Sequence, residues 1–149
     1  MKWLLVFAAV ACGLILPLQP GINAHLRTYL DSPISAAFVS FFVGSAVLAV
    51  LTALVAWPSS TTIARALEAP WWAWTGGLIG ATVVSLSVVL APRLGATLLV
   101  GAIVTGQLIG SLVIDHFGLV GFAVVPISPV RALGVVLLVA GVVTVQFAR

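Results

Sequence analysis

Apolar residues run along this chain in long blocks, and the polar residues gather in short intervals between them. A helix needs about 20 predominantly apolar residues to cross ~30 Å of hydrocarbon. Five segments meet that requirement, roughly 3–21, 34–57, 71–91, 94–114 and 130–147. Their edges carry local signals. Asp31-Ser32-Pro33 offers a side-chain cap and a proline for the first turn of the second helix, and Ser128-Pro129 does the same for the fifth. Trp71, Trp72 and Trp74 stand where the third helix enters, as an interfacial aromatic belt would. Ala91-Pro92-Arg93 predicts a short turn between helices three and four. The stretch 117–127 is apolar but too short to span, so it reads as a re-entrant or interfacial loop or as an extension of the fourth helix. The start, Met1-Lys2 and an apolar run, has the outline of a signal peptide. Because the rest of the chain is equally apolar, the run is assigned to the first membrane helix.

Composition makes lipid the required surroundings. Of 149 residues, 62% are hydrophobic and 6% charged, too few charges to cover a soluble surface of this size. The predicted class is therefore all-α and integral to a membrane, a single transmembrane domain of about five helices. The net charge of +3 is small and dispersed, which excludes a nucleic-acid partner. The single cysteine, Cys12, excludes an intrachain disulfide and a cysteine-only metal site.

Charge placement carries more information than charge number. With the N-terminus on side one and five spans, Lys2, Arg65 and Arg131 lie on side one, and Arg27, Arg93 and Arg149 on side two. Orientation is normally set by an excess of Lys and Arg on the cytoplasmic side. Three against three leaves no excess to read. Either the free N-terminus or unequal loop weights set one orientation, or the chain inserts both ways and pairs with an inverted copy of itself. The second reading has a structural logic, because many transporters place their substrate site between two repeats of inverted topology. No internal repeat is evident here, as befits one half of such a body.

Candidate chemistry is polar and sparse. Pro17 and Pro20 each remove a backbone donor, so the first helix should kink or unwind near its end. Gln19 and Asn23, four apart, share a face if helical geometry resumes, and form either a hydrogen-bonding site for a polar solute or a pair of capping amides. In the fourth span Gln107 and Ser111 are likewise four apart, and serve either as interhelical glue or as solute contacts. Gly76 with Gly80, and Gly106 with Gly110, are small-xxx-small pairs that favour helix packing. No Asp or Glu lies in the middle of any span, which argues against a cation-for-proton exchanger built on one buried carboxylate. His25, Asp115 and His116 lie near helix ends. In an inverted dimer His25 of one subunit shares a membrane side with Asp115 and His116 of the other, where a gate or proton relay could form; capping and hydration are the alternative roles. With no Ser-His-acid set, paired carboxylates, phosphate-binding loop or multi-ligand cluster, neither an enzyme, nor a metal, nor a cofactor is expected.

An ordered set of fragments resembles the small YdcZ-type branch of the drug/metabolite transporter superfamily. They are Pro17-Leu18-Gln19-Pro20-Gly21-Ile22-Asn23-Ala24, Ser40-Phe41-Phe42-Val43-Gly44, Trp74-Thr75-Gly76-Gly77-Leu78-Ile79-Gly80-Ala81, Ala91-Pro92-Arg93-Leu94-Gly95, Gly106-Gln107, Asp115-His116-Phe117-Gly118 and Arg131-Ala132-Leu133-Gly134. The resemblance implies a five-helix half-transporter of the bacterial inner membrane, one of a family that occurs as single dual-topology chains, as oppositely oriented pairs and as fused ten-helix proteins. Together with the balanced charges it leads to the expectation of an antiparallel homodimer, or a pair with a related inverted chain. That body would move a small organic metabolite or drug-like solute by alternating access. A dual-topology dimeric channel and a non-transporting accessory subunit are the alternatives. The resemblance supplies no substrate.

Overall fold

The computed structural model describes residues 2–55 and 57–148, apart from the side chain of Lys2; Arg149, one of the six counted cations, lies outside the described residues. The described residues are helical, with short 3-10 turns and no strand. Six helices follow one another: α1 (Lys2–Ile15), α2 (Leu18–Leu30), α3 (Pro33–Val55), α4 (Ser60–Leu67), α5 (Gly76–Phe117) and α6 (Pro129–Phe147). Four stretches are long and apolar enough to cross a membrane: Trp3–Leu30, Pro33–Val55, Trp71–Phe117 and Pro129–Phe147. The third is 47 residues long, which at about 1.5 Å per residue is twice the hydrocarbon thickness. It is interrupted at Gly95, whose φ of 71° and ψ of 165° are not helical. Each side of that interruption is of spanning length, so the all-α membrane class with about five spans holds.

Helix boundaries follow backbone chemistry more closely than hydropathy. Helical structure breaks at Leu16–Pro17, where proline cannot donate to the carbonyl of Gly13, and resumes at Leu18. Pro20 stands third in α2, among the first residues of a helix whose N–H groups have no intrahelical partner, and so costs nothing there. The break therefore falls inside a long helical stretch and not at its end. The stretch continues to Leu30 because residues 22–30, though more polar, contain no helix breaker. Asp31 closes α2 in the left-handed conformation, at φ 52°. Ser32 then accepts from the Ser35 N–H at 3.2 Å, and Pro33 opens α3. Ser128 accepts from the Arg131 N–H at 3.3 Å beside Pro129, the corresponding device at the start of α6.

The expected turn at residues 91–93 is corrected. Residues 91–93 are helical, and the interruption lies at Gly95, because its positive φ with extended ψ is a conformation that only glycine adopts at low cost. The loop after α3 holds a short helix, α4, whose cap Ser59 accepts from the Thr62 N–H at 3.2 Å.

The chain divides into two compact units, Met1–Pro92 and Arg93–Arg149. In the first, α2 packs against α3, with Asn23 buried on α2 and Ala36 and Ala37 buried on α3. A Cβ at Gly80 would lie 3.3 Å from Phe41 Cζ, so α5 and α3 approach closely there. In the second, a Cβ at Gly101 would lie 3.1 Å from Val142 Cγ2 of α6. Among the described residues the buried hydrophobic side chains are Ala36, Ala37, Val88, Leu98, Leu99 and Leu112. The large apolar side chains are otherwise mostly exposed, as lipid-facing helices require.

The segment after α5 is neither a span nor a helix extension. Gly118 caps α5 at φ 61°, a 3-10 turn covers Leu119–Gly121, and the chain then runs without regular secondary structure to Ser128. A Cβ at Gly118 would meet Val124 Cγ2 at 2.7 Å. Gly118→Ala is expected to cost at least about 1–2 kcal/mol from the left-handed backbone alone, read as a lowered unfolding midpoint in detergent; an unchanged midpoint would show that this turn has another low-energy geometry.

Candidate functional site

Polar side chains on membrane-length helices are the features most in need of an explanation here, because an amide or hydroxyl in hydrocarbon costs several kcal/mol without a partner. Several hydroxyls, among them Thr82, Ser87 and Thr144, donate to carbonyls of their own helix, and amides without such a bond stand on α2 in the first unit and on α5 in the second.

In the first unit the face of α2 carries Gln19, Asn23 and Arg27 at intervals of four, so they stack along one side of the helix. Gln19 is exposed, Asn23 is 3% exposed and Arg27 is half-buried. Asn23 Nδ2 is buried without a hydrogen-bond partner among the described residues. His25, on another side, is exposed and meets the ring of Tyr29 edge-on, with centroids 5.4 Å apart. The break at Leu16–Pro17 lies just before this face, where the Gln19 N–H donates to the Leu16 carbonyl at 3.2 Å.

In the second unit α5 carries Gln107 exposed and Ser111 half-buried, the latter donating to the Leu108 carbonyl at 2.9 Å. Ser111 thus satisfies its own proton within the helix. Thr105 Oγ1 is buried and unpaired among the described residues, a second orphan that spacing arguments pass over because a lone threonine suits any apolar helix. Gly106 and Gly110 are exposed, and nothing lies within 4 Å of a Cβ built at either. Gly76 is likewise open, whereas its partner Gly80 meets Phe41.

Asp115 and His116 anchor the loop that follows α5. Asp115 forms an ion pair with Arg131, whose second nitrogen donates to the Val125 carbonyl at 3.1 Å. The Val125 N–H donates to the Asp115 carbonyl at 2.8 Å, and the Ile127 N–H to His116 Nδ1 at 3.3 Å. Arg131 was legible only as a charge; its pairing depends on Ser128 and Pro129 starting α6 where the guanidinium reaches back. The structure therefore gives Asp115 and His116 a local task, holding residues 118–128 against the end of α5. His25 belongs to the other unit. Among the described residues no group of three His, Cys, Asp or Glu could hold a metal ion.

Residues 4–144, nearly the whole chain, match the family described as "Putative inner membrane exporter, YdcZ". The chain belongs to the YdcZ family. It is accordingly a multi-pass protein of the inner membrane, and the YdcZ assignment agrees with helices of spanning length. No curated protein and no solved structure matches it. The YdcZ match covers both the α2 face and the Asp115–Arg131 pair.

Proposed function

We propose that this YdcZ-family chain is one half of a small-molecule exporter, completed by an inverted second copy. The observation that carries the reading is the exposure of Gln19 and Gln107 on membrane-length helices. An amide facing lipid tails is costly, and a wet cavity between two chains removes that cost. Exposed Gly106 and Gly110 beside Gln107 give a partner helix a smooth line of approach. The equal division of Lys and Arg supports inversion, since neither side has the excess that would fix one orientation. Gln19 and Asn23 in the first unit, and Gln107 and Ser111 in the second, are the side chains offered to the solute, and the helix break at Pro17 supplies the joint about which access alternates. A related inverted chain could stand in for the second copy.

Reporters fused to the C-terminus, each active on only one side of the membrane, test inversion directly. Comparable signal from both, shifted by one added charge at either terminus, is expected. A single clean orientation overturns the homodimer. Gln107→Ala is expected to lower saturable efflux about tenfold, the scale of one lost polar contact, with dimer yield unchanged. Flux that neither saturates nor shows counterflow would identify a channel, and loss of the dimer would identify Gln107 as a packing residue.

A further inference from the structure

The face of α2 carries two amides and a guanidinium, and no carboxylate. Asn23 is 97% buried, yet its Nδ2 has no partner among the described residues. Amides so placed are ordinarily satisfied, because the desolvation cost of an orphan donor is not otherwise recovered. Arg27 stands one turn along, half-buried, with no carboxylate in ion-pair range among the described residues. The acids of this unit are Asp31 and Glu68, both exposed, Asp31 lying beyond the end of the helix as its cap. A cation and an unpaired buried donor thus share one side of the helix with no built-in anion.

Resting on the transporter reading, we infer that Asn23 and Arg27 bind the oxyanion of a solute, a carboxylate being the simplest. Side chains four apart on a helix have Cβ atoms about 5–6 Å from each other, a gap that one oxyanion can bridge. The guanidinium supplies charge and a planar pair of donors. The asparagine supplies a neutral donor in the buried seam between α2 and α3, where a second cation would be prohibitive. This assignment accounts for both the orphan amide and the unpaired arginine, and for a unit without a buried carboxylate to receive a cation. A lipid headgroup phosphate offers the same chemistry, so the source of the oxyanion is part of the test.

The full-length chain, purified in detergent, is titrated with benzoate and with benzamide, its neutral counterpart, and affinity is read by calorimetry. Saturable benzoate binding with little response to benzamide is expected. Asn23→Leu keeps the side-chain size and removes the donor, and is expected to weaken benzoate binding about tenfold or more. The same variant should keep or raise the ligand-free unfolding midpoint, because it removes an unpaired buried amide. Arg27→Gln should abolish binding and Arg27→Lys retain part of it. Competition by phosphatidylglycerol in mixed micelles would place a lipid phosphate in the site and leave the oxyanion assignment standing. Absence of binding by both probes, or binding unchanged in Asn23→Leu and Arg27→Gln, overturns it; so does an Asn23→Leu variant that unfolds earlier while binding normally. Saturable binding without flux would sink the transporter reading and spare the site. Saturable efflux from a chain that binds no oxyanion would do the reverse.

Discussion

Gly95→Ala is expected to reduce the yield of monodisperse protein severely and to destabilise what remains by about 1–3 kcal/mol, a large fraction of a typical folding free energy. Gly95 has φ 71° and ψ 165°, a combination that places a Cβ against the neighbouring carbonyl and is essentially reserved for glycine. The chain has no easy escape. If residue 95 relaxed to helical geometry, the 42 residues of α5 would form one helix about 63 Å long, twice what a bilayer accommodates. The contrast is Gly77→Ala, in the same helix at helical dihedrals with nothing within 4 Å of the added carbon. That variant should be neutral or more stable by up to about 1 kcal/mol. Unfolding midpoints in a fixed detergent measure both. If Gly95→Ala matched Gly77→Ala, the interruption would not depend on positive φ, and Pro92 would have to be its cause.

How far this architecture is readable from residues depends on where the cause of each feature lies. The break before α2 is legible because proline carries its cause within one residue. The caps at Ser32 and Ser128 are legible because the side chain and the N–H it accepts are three residues apart. Arg27 is harder: hydropathy ends the first span at about residue 21, while the helix runs on to Leu30 and turns a loop charge into a charge on a helix face. Gly95 is outranked in the sequence by Pro92, a stronger break signal, since a glycine's φ is set by where the flanking helices must go. Burial is least legible of all. Asn23 and Gln107 both read as amides in an apolar helix, but one is buried and the other is exposed. That difference comes from packing, which no local pattern encodes.

Arg131→Gln is expected to destabilise the second unit by about 1–2 kcal/mol and to speed proteolysis within residues 118–128. The guanidinium holds Asp115 and the Val125 carbonyl together, so its loss frees the loop and leaves a carboxylate without its counter-ion. A hydrogen bond to a charged group contributes about 1.5–3 kcal/mol. The two side chains are 32% and 25% exposed, so screening by solvent reduces that figure. Asp115→Asn should cost less, because the amide oxygen can still accept and Arg131 keeps Val125. The double variant should fall short of the sum of the two, as residues sharing one interaction do. Orientation separates the electrostatic anchor from the topological charge. Under the dual-insertion proposal, Arg131→Gln leaves two cations on side one against three on side two. Side two should then face the cytoplasm more often, and the C-terminal reporters should shift accordingly. Asp115→Asn removes no Lys or Arg, so it should weaken the loop without moving the reporters. If both variants shift orientation equally, the ion pair and not the count of cations governs insertion. If neither loosens the loop, its course rests on the Asp115 carbonyl and His116 alone.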